Sequence, residues 1–319
     1  MTYGRTLLAL VLVGVTGLIG WRVLRPASLS ATGTVPAPVD VAPGPTGRMS
    51  VIPLLVEGQF RVYVSRRQVR ADGPVAANTA RTPFWSLRRW PQSVSGVVAV
   101  GTVVVTRWSD GAVIALDGLT GRTLWRASGF SGSFSIPRDV LWSPPDMFAA
   151  AAARVVLLRS GGQVTALAAA TGATVWSRAC AGPAFATDSD LACGDRLLSA
   201  STGAVVATGT FTGVECAVGC LGARDVSGRV WRAGRPIAYA PPSGFVLGSA
   251  GGVSYVLTPD RHLVARDETT GTVRGDFVLG YPHDRTDWTP AGWQLADGYL
   301  AIDRGPTFTR DQVLLAKLP

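Results

Sequence analysis

Between Gly111 and Ala127 the chain changes pattern twice. Gly111-Ala-Val-Ile-Ala-Leu116 is apolar or small and partly β-branched, which predicts a buried or half-buried strand. Asp117 ends it. An aspartate there can accept from backbone amides two residues on and start a reversal. Thr120-Gly121 follows, with Gly121 free to take positive φ. Thr123-Leu-Trp125-Arg-Ala127 then returns as a second strand. Trp125 is its heaviest member. A fully buried tryptophan removes ~150–250 Å² from water, worth roughly 4–6 kcal/mol as an upper bound.

The pattern recurs. Val164-Thr-Ala-Leu-Ala168 leads into Thr171-Gly172 and Ala-Thr-Val-Trp176, losing only the aspartate. Leu198 to Ala207 keeps Thr202-Gly203 and has alanine for tryptophan. Asp225-Val-Ser-Gly228-Arg-Val-Trp231 reads as a shortened copy. Asp267 to Gly275 keeps Asp267, Thr270 and Gly271 without the indole, and Asn78 to Trp85 reads as an earlier copy without Thr-Gly. A flat sheet of four strands has no core of its own; an indole leaning onto the next sheet would supply one. Repetition of this kind predicts an array of small antiparallel sheets, against the plainer reading of a β-sandwich rich in Thr-Gly turns.

Six or seven such units fit between Met49 and the end of the chain. The expected fold is all-β, a single β-propeller with seven blades favoured and six or eight as the alternatives. Gln312 to Leu318 is expected to pair with strands from the Met49 region and close the ring, removing exposed sheet edges.

The N-terminus has a different pattern. Leu7 to Leu24 is an almost unbroken apolar run with Arg22 as its one charge. As a helix it would rise about 27 Å, close to a bilayer core. It is read as a retained transmembrane signal-anchor over residues 1–25, with a cleaved signal peptide as the alternative. Residues 26–48, rich in Pro, Ala and Thr, are expected to form a disordered linker reaching about 70 Å, and residues 49–319 the propeller.

The pattern A-L-D-x-x-T-G-x-x-x-W, carried by Asp117, Gly121 and Trp125, by Gly172 and Trp176, and by Asp267 and Gly271, resembles the repeat of PQQ-like β-propellers, the quinoprotein superfamily. The resemblance covers roughly residues 50–319 and implies a structural role for those seven residues. The family includes cofactor-dependent dehydrogenases and cofactor-free scaffolds such as the lipoprotein propellers of outer-membrane assembly. The dehydrogenases typically carry adjacent cysteines under the quinone and a calcium site of Asp, Asn and Glu. This chain has no Cys-Cys pair, and none of those ligands can be matched, so no cofactor is carried over and the scaffold branch is expected.

Composition adds placement more than chemistry. Charged residues are only 16% of the chain, and Gly 38 with Pro 21 suits many short strands joined by turns. The net charge of +9 comes almost wholly from arginine, with Lys317 the one lysine. Arg66-Arg67-Gln-Val-Arg70 and Arg88-Arg89-Trp90 are short basic clusters. No nucleic-acid motif accompanies them, so an anionic envelope surface is the better partner.

Cys180, Cys193, Cys216 and Cys220 allow three pairings, and the local one, Cys180–Cys193 with Cys216–Cys220, is favoured in an exported protein. Cys216-x-x-x-Cys220 also has metal-ligand spacing, but the other pair is too far apart in sequence to complete such a site neatly, and no metal is expected. His262 and His283 read as loop residues. No nucleophile elbow or catalytic triad stands out. These features point to a membrane-anchored, extracytoplasmic binding or scaffolding module, single-pass, with no catalytic residues and a protein partner at one mouth of the ring. A degenerate quinoprotein oxidoreductase or a hydrolase in the central channel is the alternative.

Overall fold

In the computed structural model the described residues are 2–23, 27–31, 33, 40–73, 83–130, 144, 146–214, 222–227, 229–237, 244–250, 252–267, 270–284, 287–296, 298–306, 308 and 312–319. Seven antiparallel sheets follow one another as the blades of a β-propeller. Blade 1 is Leu54–Val56, Phe60–Ser65, Gln68–Asp72 and Pro83–Arg89; blade 2 is Val94–Val100, Val103–Trp108, Val113–Asp117 and Thr123–Ala127. Blade 3 is Met147–Ala150, Val155–Ser160, Gln163–Ala168 and Thr174–Ala179; blade 4 is Ala184–Ala186, Asp190–Cys193, Arg196–Ser199 and Val205–Thr208. Blade 5 is Phe211–Val214, Ala223–Asp225, Val230–Arg232 and Arg235–Ile237; blade 6 is Phe245–Ala250, Val253–Leu257, His262–Asp267 and Val273–Val278. Blade 7 is Gly292–Ala296, Tyr299–Asp303 and Val313–Lys317, completed by Gly44–Met49.

The ring is closed by that last strand. Gly44–Met49 lies antiparallel to Val313–Lys317, with Gly44 opposite Lys317 and Met49 opposite Val313. The C-terminal strand therefore pairs with the Met49 region, as the pattern predicts. The boundary differs from the sequence reading, because the propeller begins at Gly44 inside the stretch expected to be linker. Ala27–Ala31, from the same stretch, adds a fifth strand to the outer edge of blade 1, from Ala27 opposite Arg89 to Ala31 opposite Trp85. Neither segment has an apolar alternation to announce it. Both become strands because an unpaired edge already stands beside them.

The core is divided among the gaps between sheets. One cluster joins Trp85 and Val69 of blade 1 to Ile114 and Leu116 of blade 2. Others join Trp125 to Val156 and Leu167 across blades 2 and 3, and Trp176 to Leu191 and Leu198 across blades 3 and 4. Leu263 with Leu300 and Leu314 joins blades 6 and 7, and Leu55 with Tyr299 and Leu315 joins blades 7 and 1. Trp125 and Trp176 are buried, at 8% and 7% exposure.

The chain begins with a helix, α1, over Thr2–Val23. Its described side chains include Leu10, Val11, Leu12, Val13, Leu18 and Trp21, all exposed. Among the described residues no helix is long and apolar enough to cross a membrane.

Candidate functional site

The Thr-Gly reversals act between blades. In blade 2, Asp117 Oδ1 accepts from the amides of Leu119 at 2.9 Å and Thr120 at 3.1 Å, which lets the chain turn at Gly121, φ 73°. The preceding blade's indole lies against that glycine, since a Cβ on Gly121 would come within 2.4 Å of Trp85. Trp85 Nε1 donates to the Gly118 carbonyl at 2.7 Å. The next two interfaces repeat this. Trp125 lies on Gly172 and donates to Ala169 at 2.7 Å, and Trp176 lies on Gly203 and donates to Ala200 at 2.8 Å.

Beyond blade 4 the device changes. Ala207 holds the indole position, and Val206 lies against Gly234 in the two-residue turn Ala233-Gly234 of blade 5. The buried carboxylate of Asp190 meets the amides of that turn; burial raises its pKa, and the Ser189 hydroxyl and those amides offset part of the rise. In blade 6, Gly275 takes the indole position and Pro319 fills the space against it. Asp267 still accepts from the Thr270 amide at 2.9 Å and pairs with Arg274, while Gly271, φ 71°, faces open space.

The Asp225 hairpin is not a further copy. It joins the second and third strands of blade 5, whereas Asp117 and Asp267 cap the turn between third and fourth strands. Trp231 stays within its own blade, edge-on to Phe211 with centroids 6.3 Å apart and its N–H on Asp225 at 2.8 Å. The Ser227 hydroxyl and that indole hold the Asp225 carboxyl down to about 2.

The first strands of successive blades face one another around the ring. They read Leu-Leu-Val, Val-Ser-Gly-Val-Val-Ala-Val, Met-Phe-Ala-Ala, Ala-Phe-Ala, Phe-Thr-Gly-Val, Phe-Val-Leu-Gly-Ser-Ala and Gly-Trp-Gln-Leu-Ala. None of these seven innermost strands contains an ionisable residue. A quinone with its calcium would need carboxylates converging there, and among the described residues no cluster of three His, Cys, Asp or Glu could hold a metal. Among the described residues, those of the innermost strands do not fit that group.

Most of the ion pairs lie on one face instead. Up-and-down blades place first-to-second and third-to-fourth strand turns on a turn face, and second-to-third turns with the inter-blade links on a connection face. On the connection face Arg89 grips Asp110 with two bonds, at 2.9 and 2.8 Å, which holds that carboxyl below its usual range. Arg159 pairs with Asp146 at 2.6 Å, and buried Arg107 donates to the Asp146 carbonyl at 3.1 Å, its pKa lowered by burial to about 10. Asp284 bridges Arg48 at 2.6 Å and Arg304 at 2.8 Å. His262 pairs with Asp276 at 2.7 Å; His283 sits in the link between blades 6 and 7 with φ 73°.

A cleft of about 520 Å³ opens on this face in blade 3, lined by Asp146, Arg159, Gly161, Gly162, Cys180 and Gly182. Arg159 also donates to the Gly182 carbonyl. The Cys180–Cys193 disulfide, with Cα atoms 5.6 Å apart, ties the link into blade 4 to that blade's second strand. Cys216 and Cys220 lie outside the described residues. The ion pairs joining Arg159 to Asp146 and Arg48 to Asp284 are the features sequence reading missed, because their partners lie on different strands and links and no local spacing announces them.

No family model matches the chain, and no curated protein matches it. Among solved structures it is similar to the crystal structure of BamB from Moraxella catarrhalis, at 17% identity over 92% of this chain and 98% of that one, with a TM-score of 0.43.

Proposed function

We propose that the chain is a membrane-anchored, extracytoplasmic propeller serving as a binding or scaffolding module, with its partner protein received on the connection face. The observation that carries this reading is the division of chemistry. The innermost strands hold no ionisable side chain, so the ring supplies shape, while most of the ion pairs and the cleft lie on the connection face, with Arg70–Asp72 and Arg274–Asp267 on the turn face. Loops on a rigid scaffold are where such folds bind. The Cys180–Cys193 disulfide supports an oxidising compartment. The apolar run Leu7–Leu24 and the exposed side chains of α1 support the anchor.

Site-specific photo-crosslinkers at Gly161 on the connection face and Ser201 on the turn face test the reading in cells. Adducts from Gly161 and not Ser201 are expected. Adducts confined to Ser201, or none from either, overturn it. So would dye reduction by the purified chain on addition of PQQ and Ca²⁺.

A further inference from the structure

The strand Ala27–Ala31 fixes where the N-terminal helix meets the propeller. α1 ends at Val23, and Ala27 already lies opposite Arg89. Four residue steps span at most about 14 Å. The end of the helix is therefore tethered to the connection-face corner of blade 1, far short of the reach a free linker would allow.

That corner is basic and aromatic. Arg66 and Arg88 are exposed, and no ion pair holds either among the described residues. Arg67 stacks over the Trp90 ring at 3.6 Å. The turn carrying Arg66 and Arg67 is tied to the fourth strand of blade 1 and the following link, because Arg67 and Arg66 carbonyls accept from the amides of Arg89 and Val94 at 3.0 Å each. The nearby carboxylate, Asp110, is held by Arg89. Two free guanidiniums and an indole stacked beneath a third are thus fixed on a rigid edge beside the helix end.

We propose that this corner rests on anionic phospholipid headgroups, so that blade 1 is the membrane-facing edge of the propeller. The inference builds on the anchor reading and adds an orientation to it. Arginines on a rigid edge suit phosphate oxygens, which accept paired N–H donors, and a juxtamembrane basic cluster gains affinity from each charge near an anionic surface.

The full chain, reconstituted into phosphatidylcholine vesicles with or without one quarter phosphatidylglycerol, tests both readings separately. Flotation reports the anchor, and hydrogen exchange over Ser65–Gln68 and Trp90–Ser93 reports the corner. Flotation with both vesicles is expected, with exchange slowed roughly fivefold or more only where phosphatidylglycerol is present. Raised salt or the double variant Arg66→Gln/Arg88→Gln should abolish the slowing. Flotation with both and equal exchange overturns the lipid corner and keeps the anchor. Equal slowing in both vesicles overturns it too, since headgroup charge then plays no part. Flotation only with phosphatidylglycerol removes the anchor and keeps the corner; flotation with neither removes both.

Discussion

The indole of Trp125 donates to the Ala169 carbonyl at 2.7 Å and lies so close to Gly172 that a Cβ there would come within 2.6 Å of the ring. Each partner explains the other, since the glycine leaves the room the tryptophan occupies. Replacing Trp125 with alanine removes a buried aromatic and leaves a void between blades 2 and 3. A loss of roughly 3–5 kcal/mol in unfolding free energy is expected by urea denaturation. A loss below about 1 kcal/mol would mean that the interface is held elsewhere.

Gly121 and Gly271 separate backbone strain from packing. Their φ values are 73° and 71°. Alanine at either position carries the left-handed penalty of about 1–2 kcal/mol. At Gly271 the added methyl meets open space, whereas at Gly121 it meets Trp85 at 2.4 Å. Gly121→Ala should therefore destabilise clearly more than Gly271→Ala in paired thermal melts.

The disulfide closes a short loop, the two cysteines being 13 residues apart. Cross-links of this span stabilise by about 3 kcal/mol through the unfolded chain. The double variant Cys180→Ser/Cys193→Ser should lose close to that amount in urea denaturation.

His262 carries the pH dependence nearest neutrality. The hydrogen bond that its ring N–H donates to the Asp276 carboxylate raises its pKa above 6.5, partly offset by desolvation. A raised histidine pKa gives stability that is present below 6.5 and disappears as pH rises through the folded value. Asp276→Asn should move the His262 titration, followed by NMR, downward. It should destabilise the protein at about pH 5 and leave it nearly unchanged at about pH 9.

Much of the ring was legible in the chain, and for a physical reason. The Asp-x-x-Thr-Gly turn and the following tryptophan are local, and Asp117 with Gly121 or Gly172 with Trp176 can be read within a dozen residues. The partner of each indole is not local: Trp125 reaches the next blade, a relationship that only the fold supplies. The same limit misplaced Asp225 to Trp231, where a similar spelling serves an earlier turn of its blade. The edge strands Ala27–Ala31 and Gly44–Met49 carry little hydrophobic signal because they form late additions to edges made by other residues. The paired carboxylates and guanidiniums of the connection face were equally silent, being spread over strands and links from the whole chain.

Blade 7 takes its outermost strand from residues 44–49 and its remaining strands from residues 292–317. During synthesis the early segment must therefore wait, unpartnered, until the final sheet has left the ribosome. The circle is sealed only when Val313–Lys317 reaches Gly44–Met49, which makes the meeting of two segments far apart in the chain the step that locks the molecule.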